Sequence, residues 1–299
     1  MSALRHGVVL LPERRWAEAR GRWQRAEELG FDHAWTYDHL MWRMLRAEPW
    51  FAAVPTLAAA AAVTSRIGIG TLVAGPAFRH PVTLAKEVMT LDDVSGGRFV
   101  LGVGAGGGGY DDEALGLPAP TTRQRTRRFE EFVEITDLLL RRPVTTFEGE
   151  HYTARDVHLH PGCLQQPRVP FAVAATGARG LALAARHADI WVTAGHPGWG
   201  EPQPYDRALD DLRAQADRLD DACAAIGRDP ATLRRLVLTG AMISEVSASG
   251  ASYQDACGRL AGIGFTDVVS HWPRAGFPYR GSEKVLEEIA EVMAAERAA

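Results

Sequence analysis

The sequence predicts an α/β fold, a single (β/α)8 TIM barrel. Short apolar runs alternate with longer stretches of helical periodicity along the 299 residues, and this alternation is typical of a parallel sheet built from crossover units. Eight strand–helix pairs are present, and eight favour a closed barrel over an open sheet. Since no low-complexity linker divides the chain, we expect residues 1–299 to form one domain.

The predicted elements cover most of the chain. Strands are expected at residues 6–11, 33–37, 66–73, 98–103, 170–175, 189–194, 235–242 and 266–270. Helices are expected at residues 13–29, 50–64, 81–94, 122–141, 178–187, 205–227, 252–262 and 281–296. The third strand has no strict alternation of apolar and polar residues, as expected when both faces of a strand are covered.

The segment between the fourth and fifth strands, residues 104–166, departs from the regular repeat. A glycine run, a long helix and a hairpin-like stretch at residues 144–152 follow one another there. We expect an insertion within the barrel rather than a second domain. No helical pattern begins before about residue 122, so the glycine run is predicted to lead into a loop.

Composition narrows the class of partner. A formal net charge of −4 gives no basic field, so nucleic acid and anionic membranes are poor candidates and a small molecule is the better one. The three cysteines are too few and too scattered for a disulfide framework, and no Cys/His spacing indicates a metal site. The N-terminus lacks a signal-peptide pattern and no apolar run is long enough to span a membrane, so the cytoplasm is the expected location.

In a barrel of this kind the active site lies at the carboxyl ends of the strands. Aromatic and imidazole side chains concentrate at those positions, although barrel mouths also expose such residues for no functional reason. Collectively they suggest a site for a flat aromatic ligand. The candidates for the substrate pocket are Trp42, Trp50, His196, Trp199 and His271.

Two glycine-bearing turns are candidate ligand-binding segments. The run at residues 102–109 matches G-x-G-x-x-G, but no helix is predicted directly after it, so we expect a loop where a planar ligand approaches the backbone rather than a dinucleotide site. The turn at residues 175–180 precedes a predicted helix, whose N–H groups are suited to a phosphate. In that turn Thr176 adds a hydroxyl and Arg179 a charge.

His39 is the main candidate for acid–base chemistry. It follows Asp38 at the end of the second predicted strand, and an imidazole at a barrel mouth is suited to act as a general base or as a hydrogen-bond donor to a reduced ring. A structural histidine remains the alternative. Adjacent residues of a strand point to opposite faces, so sequence order does not establish that Asp38 touches His39.

The chain resembles the bacterial-luciferase-like superfamily, and within it the deazaflavin-dependent oxidoreductases that use coenzyme F420. The resemblance runs the whole length and is most specific between Gly70 and Gly106. The segments that carry it are Trp35-Thr36-Tyr37-Asp38-His39, Gly70-Thr71-Leu72-Val73, Arg79-His80-Pro81, Ser95-Gly96-Gly97-Arg98, Leu101-Gly102-Val103-Gly104-Ala105-Gly106 and Gly227-Arg228-Asp229-Pro230.

The resemblance implies roles for particular residues. It implies a bulge in strand three with a non-prolyl cis peptide between Leu72 and Val73, a phosphate at Gly177, a catalytic His39 near the redox ring, and a homodimer. The implied cofactor is coenzyme F420, with FMN as the alternative. The residues expected to bind it are Asp38, His39, Thr71, Leu72, Val73, Gly104, Ala105, Gly106, Ala175, Thr176, Gly177 and Thr193.

One departure from the family pattern bears on mechanism. Similar sugar-phosphate dehydrogenases place a proton-donating glutamate in the loop after strand four, where this chain has alanine and glycines at residues 105–109. The acidic residues at 111–113 are expected to lie too far along the chain to replace it. A sugar-phosphate substrate is therefore less favoured, and Glu13, after strand one, is a spare candidate for the carboxylate.

Three functions are consistent with these features. The first is hydride transfer between the deazaflavin ring and a small organic substrate, with a proton route through His39. The second is an FMN-dependent monooxygenase of the same barrel. The third is a cofactor-binding protein without catalysis, which the missing glutamate makes conceivable.

Overall fold

The computed structural model describes residues 4–107, 109–195, 203–240 and 244–298. Eight parallel strands close into a barrel in the order β1-β10-β9-β8-β7-β4-β3-β2, which confirms the predicted (β/α)8 architecture. These strands are β1 Arg5–Val9, β2 His33–Thr36, β3 Gly68–Thr71, β4 Phe99–Gly104, β7 Phe171–Ala174, β8 Ile190–Thr193, β9 Arg234–Leu238 and β10 Asp267–His271.

Helices surround this barrel. Eight of them are α1 Trp16–Glu28, α2 Ala53–Val63, α3 Pro81–Ser95, α5 Thr122–Arg141, α6 Ala178–His187, α7 Tyr205–Ala224, α8 Gly250–Ile263 and α9 Lys284–Ala298. Two of the predicted helices, 122–141 and 178–187, agree with α5 and α6 at both ends. No helix of the described residues combines the length and the hydropathy that crossing a membrane requires.

The segment between β4 and β7 contains an antiparallel pair, β5 Val144–Glu148 and β6 Thr153–His158, which lies outside the barrel sheet. It also contains a short helix, α4 Tyr110–Ala114, where the sequence predicted a loop. The prediction was wrong because Gly109 adopts a positive φ of 75°, which turns the chain directly into a helical turn. Both Asp111 and Asp112 of that turn are buried by contacts with distant residues, and sequence periodicity does not report such contacts.

Strands β1, β3 and β9 end earlier than predicted. The strand predicted at 66–73 ends at Thr71. Leu72 still donates its N–H to the carbonyl of Thr36 on β2, but pairing with β4 resumes only at a bridge between Ala74 and Val103. The strand predicted at 235–242 ends at Leu238, and residues 241–243 lie outside the described part of the chain. The carboxyl ends of the strands thus give way early to the loops that form the barrel mouth.

Glycines make room inside the barrel for large side chains. Trp35 of β2 is buried in the interior, and a Cβ on Gly70 of the neighbouring strand would lie 2.5 Å from its ring. A Cβ on Gly7 of β1 would overlap the ring of His33. Barrel interiors are packed with side chains rather than hollow, so these glycines provide the space that large side chains need. Alternate residues of β2 and its extension then point toward the barrel axis, namely His33, Trp35 and Tyr37.

Candidate active site at the barrel mouth

The carboxyl end of β3 carries the predicted bulge. Gly70 pairs with Val100, and the next pair is Ala74 with Val103, so three residues on β3 stand opposite two on β4. The peptide between Leu72 and Val73 in this bulge is cis. Both the bulge and the cis bond are therefore confirmed.

Beside the bulge, β4 and β7 end in very small residues. A Cβ on Gly104 would lie 2.5 Å from Val73 Cγ2 and 3.5 Å from the Cβ of Ala174, and one on Gly102 would overlap the carbonyl oxygen of Thr71. The half-buried Val73 thus lies against a surface made of backbone and methyl groups. Because no long side chain projects from this surface, the face of a planar ring could approach the main chain closely.

The turn after β7 presents the amino end of α6. Gly177 is the residue preceding the first helical turn, and a Cβ there would meet no atom within 4 Å. The first N–H groups of a helix lack intrahelical acceptors, so this exposed turn fits a phosphate. Thr176 is half-buried beside it. Arg179 is paired instead with Glu130 on α5.

Asp38 and His39 point in different directions. Asp38 is almost fully buried, and both of its oxygens accept hydrogen bonds from Arg79, at 2.6 and 2.8 Å. The His39 ring instead contacts a carboxylate of α4, with 2.8 Å between His39 Nδ1 and Asp111 Oδ2. The other oxygen of Asp111 accepts the backbone N–H of Leu40 at 2.9 Å.

The contact with Asp111 was not predicted from the sequence. Residues 111–113 were expected only to lie too far along the chain to replace the glutamate of similar dehydrogenases. Because α4 begins immediately after Gly109, Asp111 reaches the loop after β2. Glu13, the spare candidate, is nearly buried in an ion pair with Arg274 at 2.7 Å.

Aromatic side chains cover the opposite side of the mouth. Tyr279, on the loop after β10, stacks on His271 with ring centroids 3.5 Å apart, and also on Trp42 at 6.1 Å. Trp50 completes the group and donates its Nε1–H to the carbonyl of His39 at 2.9 Å. The structure thus brings together three of the five residues predicted for the substrate pocket, while His196 and Trp199 lie outside the described residues.

Tyr37 forms hydrogen bonds with two polar side chains of this aromatic cluster, and burial favours the uncharged form of all three. Tyr37 Oη lies 2.7 Å from His271 Nε2 and 3.1 Å from Tyr279 Oη. Complete burial lowers the pKa of His271 to about 3, and burial raises the pKa of Tyr37 and of Tyr279 well above the ordinary value. In neutral His271 one ring nitrogen carries the proton and the other a lone pair, so the tautomer of His271 decides whether Tyr37 donates or accepts in this contact.

Two of the predicted cofactor-binding residues use their side chains elsewhere. The hydroxyl of Thr71 donates to the carbonyl of Gly102 at 2.8 Å, which ties β3 to β4. The hydroxyl of Thr193 donates to Gln215 of α7 at 2.6 Å and so faces the helices rather than the mouth. The half-buried Ala105 and the exposed Gly106 remain at the mouth, and Gly108 of the same run lies outside the described residues.

Three residues of the site were missing from the predicted set. Asp111 stands in an acidic run that was noticed and set aside, and Tyr37 follows from the alternation His33, Trp35, Tyr37 along β2. Tyr279 had no sequence signal, because it reaches the mouth from an irregular loop with a positive φ of 64°, a conformation unusual for a bulky residue.

The comparisons with known proteins identify the family of this chain. The family model described as luciferase-like monooxygenase matches residues 2–263. The chain belongs to the luciferase-like monooxygenase family. Its segment from Gly70 to Gly106, which carried the resemblance in the sequence, forms the bulge and the small-residue surface of the mouth.

A relative of this luciferase-like chain is the F420-dependent glucose-6-phosphate dehydrogenase of Microbacterium testaceum. It is 34% identical over 208 residues, which are 66% of this chain and 58% of that protein. The chain thus spans little more than half the length of this curated relative.

Two solved structures share the fold. The coenzyme F420-dependent tetrahydromethanopterin reductase of Methanopyrus kandleri superposes with a TM-score of 0.79 at 18% identity, covering 98% of this chain and 99% of that one. An F420-dependent secondary alcohol dehydrogenase, in complex with an F420-acetone adduct, superposes with a TM-score of 0.81 at 18% identity, covering 99% of this chain and 100% of that one. At this level of identity the likeness shows the barrel fold alone.

Proposed function

We propose that this chain is an oxidoreductase that transfers a hydride between coenzyme F420 and a small organic substrate. The observation that carries the proposal is the partly exposed imidazole of His39, held by Asp111 at a mouth whose other side is backbone and methyl groups. Family membership and the F420-dependent relative support the choice of cofactor. Like those relatives, the chain would use a bound ring for the redox chemistry and its own side chains for positioning and proton transfer.

The residues present fit a ring with a phosphate-bearing tail. Leu72 and Val73 at the bulge would support one face of the ring, and Gly104 leaves no side chain in its way. The exposed turn at Gly177 would take the phosphate on free N–H groups of α6. When bound there, F420 supplies a ring carbon that accepts or returns a hydride.

Within this scheme His39 manages the proton. In the oxidation of an alcohol, the substrate carbon would give up its hydrogen as a hydride to the cofactor, and the O–H proton would go to the imidazole, so that a carbonyl product and an imidazolium remain. In the reverse direction the imidazolium returns the proton to the carbonyl oxygen as the hydride arrives at carbon. A positioned general acid–base group of this kind typically contributes about 10²–10⁴-fold to the rate.

The wall formed by Trp42, Trp50, His271 and Tyr279 favours an uncharged substrate. Its polar atoms are neutral, since burial keeps His271 deprotonated and the tyrosines protonated. Two cations near the mouth, Arg79 and Arg274, are each paired with a carboxylate. A small alcohol, ketone or enone therefore suits the site better than a sugar phosphate, although the relative of Microbacterium testaceum bears a glucose-6-phosphate dehydrogenase name.

Titration of the purified protein with F420 and, separately, with FMN tests the choice of cofactor. We expect saturable binding of F420, followed by its ring fluorescence, and much weaker binding of FMN. Tight binding of FMN together with oxygen consumption would instead assign the chain to the monooxygenase alternative. Binding of F420 without turnover on a panel of alcohols, ketones and enones would indicate a cofactor-binding protein.

Substitution at Gly177 tests the predicted phosphate site. Gly177→Asp places a negative charge at the amino end of α6, where an aspartate is compatible with the helix and the side chain has open space. We expect F420 affinity to fall at least about tenfold through repulsion of the phosphate. Gly21→Asp, at an exposed helical glycine with equally open space, is the matched control. His39→Ala should still bind F420 but lose turnover. The proposal would be contradicted if Gly177→Asp left F420 affinity unchanged and His39→Ala left turnover unchanged.

A further inference from the structure

We propose that Asp111 is a positioning residue for the proton transfer, fixing His39 with its ring proton on Nδ1 so that Nε2 is the nitrogen that exchanges a proton with the substrate. This inference rests on the proposed function for its consequence in turnover. The ring geometry on which it depends can be measured without any substrate.

The two oxygens of Asp111 contact two successive residues of the loop after β2. Oδ2 lies 2.8 Å from His39 Nδ1, and Oδ1 accepts the N–H of Leu40 at 2.9 Å. An ionised carboxylate can only accept hydrogen bonds, so a contact of this length requires a proton on Nδ1. In the neutral ring Nε2 then carries the lone pair, which is the arrangement a general base needs.

The backbone at His39 also has a contact that does not involve Asp111. Trp50 donates its Nε1–H to the carbonyl of His39 at 2.9 Å. The edge of the Tyr37 ring also faces the imidazole, with centroids 6.5 Å apart at 85°. Asp111 is therefore expected to determine the tautomer and orientation of the ring more than the path of the loop.

The short helix α4 that carries Asp111 is itself anchored. Asp112 lies 3.4 Å from Arg128 of α5, and Arg128 also donates to the carbonyl oxygens of Pro76 and Ala77 in the loop after β3. The side chain of Asp111 is only 11% exposed. This anchoring holds the carboxylate at the mouth from one side while β2 presents the imidazole from the other.

Asp38, the sequence neighbour of His39, does not compete for this role. Both of its oxygens accept hydrogen bonds from Arg79, which also donates to Glu87 at 2.8 Å. The carboxylate of Asp38 is thus directed at Arg79 and not at the imidazole. The carboxylate that reaches the imidazole comes from 72 positions later in the chain, on α4, just beyond the stretch 105–109 that corresponds to the glutamate of similar dehydrogenases.

Asp111 is expected to stabilise the positive charge that forms on the His39 imidazole during the reaction. When a substrate alcohol loses hydride to the ring and its O–H proton to Nε2, the imidazole becomes a cation hydrogen-bonded to the Asp111 carboxylate. The carboxylate stabilises this cation and need not take the proton itself. When the carbonyl is reduced, Nε2 returns the same proton and Nδ1 keeps its own.

The test is Asp111→Asn, which preserves shape and the bond from Leu40 but presents an amide N–H to Nδ1. That donor requires a lone pair on Nδ1, so the ring proton should move to Nε2. Ring-nitrogen correlations in protein labelled with ¹⁵N-histidine distinguish the two tautomers, and the loss of one signal in His39→Gln assigns His39 among the 10 histidines. Glu113→Gln, an exposed residue of the same helix with the same change of charge, is the matched control.

We expect the Nδ1-protonated ring in the wild-type protein and in Glu113→Gln, and the Nε2-protonated ring in Asp111→Asn. With a turned-over substrate, kcat should fall at least about tenfold in Asp111→Asn while KM changes less than about threefold, because the lost interaction acts only in the transition state. An unchanged tautomer in Asp111→Asn overturns the inference. If no substrate is found, the proposed function fails while the tautomer still decides the role of Asp111.

Discussion

The two ends of the barrel each place one histidine of the β2 segment against an aspartate, with opposite outcomes. At the amino end, His33 Nε2 lies 2.9 Å from Asp267, and Trp35 donates to His33 Nδ1 at 2.7 Å. At the carboxyl end, His39 contacts Asp111 through Nδ1 and is 29% exposed. Both nitrogens of His33 are consumed within the protein, whereas Nε2 of His39 faces no partner among the contacts of the described residues. A histidine–aspartate pair is thus structural where the imidazole is buried and both its nitrogens are hydrogen-bonded. The pair is suited to catalysis where one ring nitrogen is accessible to a ligand.

Removing the aspartate at the amino end should have the largest effect. Asp267 is fully buried and accepts hydrogen bonds from His33, Thr266 and Arg234. In Asp267→Ala the buried His33 imidazole and the partly exposed Arg234 guanidinium lose their partner, so we expect the free energy of unfolding to fall by about 3 kcal/mol. Denaturant titration measures the change, and Asp210→Ala, at an exposed ion pair with Arg213, should change stability by less than about 1 kcal/mol.

The stabilisation from Asp267 has a definite pH dependence. Burial opposes its ionisation, but the hydrogen bond and charge of His33 and Arg234 outweigh burial and hold the pKa of Asp267 well below its ordinary value. A carboxyl with a lowered folded-state pKa stabilises the protein above its unfolded-state pKa, and the stabilisation is lost as the pH falls below that value. The difference in unfolding free energy between wild type and Asp267→Ala should therefore become smaller in acid. A difference that did not change with pH would contradict this account.

Breaking the small-residue surface should have an intermediate effect, on cofactor binding as well as on folding stability. In Gly104→Ala the new Cβ lies 2.5 Å from Val73, so Val73 has to move toward the ring site. Overpacking of this kind typically costs about 1–3 kcal/mol. We expect F420 affinity to fall roughly thirtyfold, or about 2 kcal/mol, measured by ring fluorescence.

A neutral position keeps this prediction specific. Gly262→Ala, on a helix and with no atom within 4 Å of the added Cβ, should bind F420 as wild type does and be no less stable. If Gly104→Ala bound F420 with unchanged affinity, the surface beside Val73 would not be where the ring lies.

Features of the two barrel ends that depend on local sequence pattern were predicted, whereas features that depend on contacts between distant residues were not. Strand–helix periodicity was enough for the barrel, and position after β2 was enough to select His39, because both depend on local pattern. The contact of His39 with Asp111 was not predicted, because Asp111 is distant in sequence and lies on a short helix where the sequence predicted a loop. Thr193 was placed at the mouth by position alone, but the alternation of strand faces turns its hydroxyl toward Gln215. Tyr279 required an irregular loop that no periodicity describes.

The smallest expected effect again concerns the amino end, where Glu27 binds the segment that enters β3. Its carboxylate accepts the backbone N–H groups of Ser65, Arg66 and Ile67 at 2.6 to 2.9 Å. Partial burial opposes ionisation, but these hydrogen bonds outweigh it and lower the pKa of Glu27 to about 2. Glu27→Gln keeps one acceptor oxygen and loses the charge, so we expect a loss of about 1 kcal/mol of unfolding free energy, against no measurable change for Glu28→Gln, which is exposed and pairs with Arg25.

The sign of the pH effect separates this role from simple packing. Because the folded-state pKa of Glu27 lies below its ordinary value of 4.5, its charge stabilises the protein above that value, and this stabilisation disappears as the pH falls toward 2. The difference between wild type and Glu27→Gln should therefore be present near neutral pH and shrink in acid. A difference that stayed constant would mean that the side chain acts through its volume. At the amino end, then, even a half-exposed carboxylate has its hydrogen-bonding capacity taken by protein groups. His39 at the mouth differs, because its Nε2 has no such partner among the described residues.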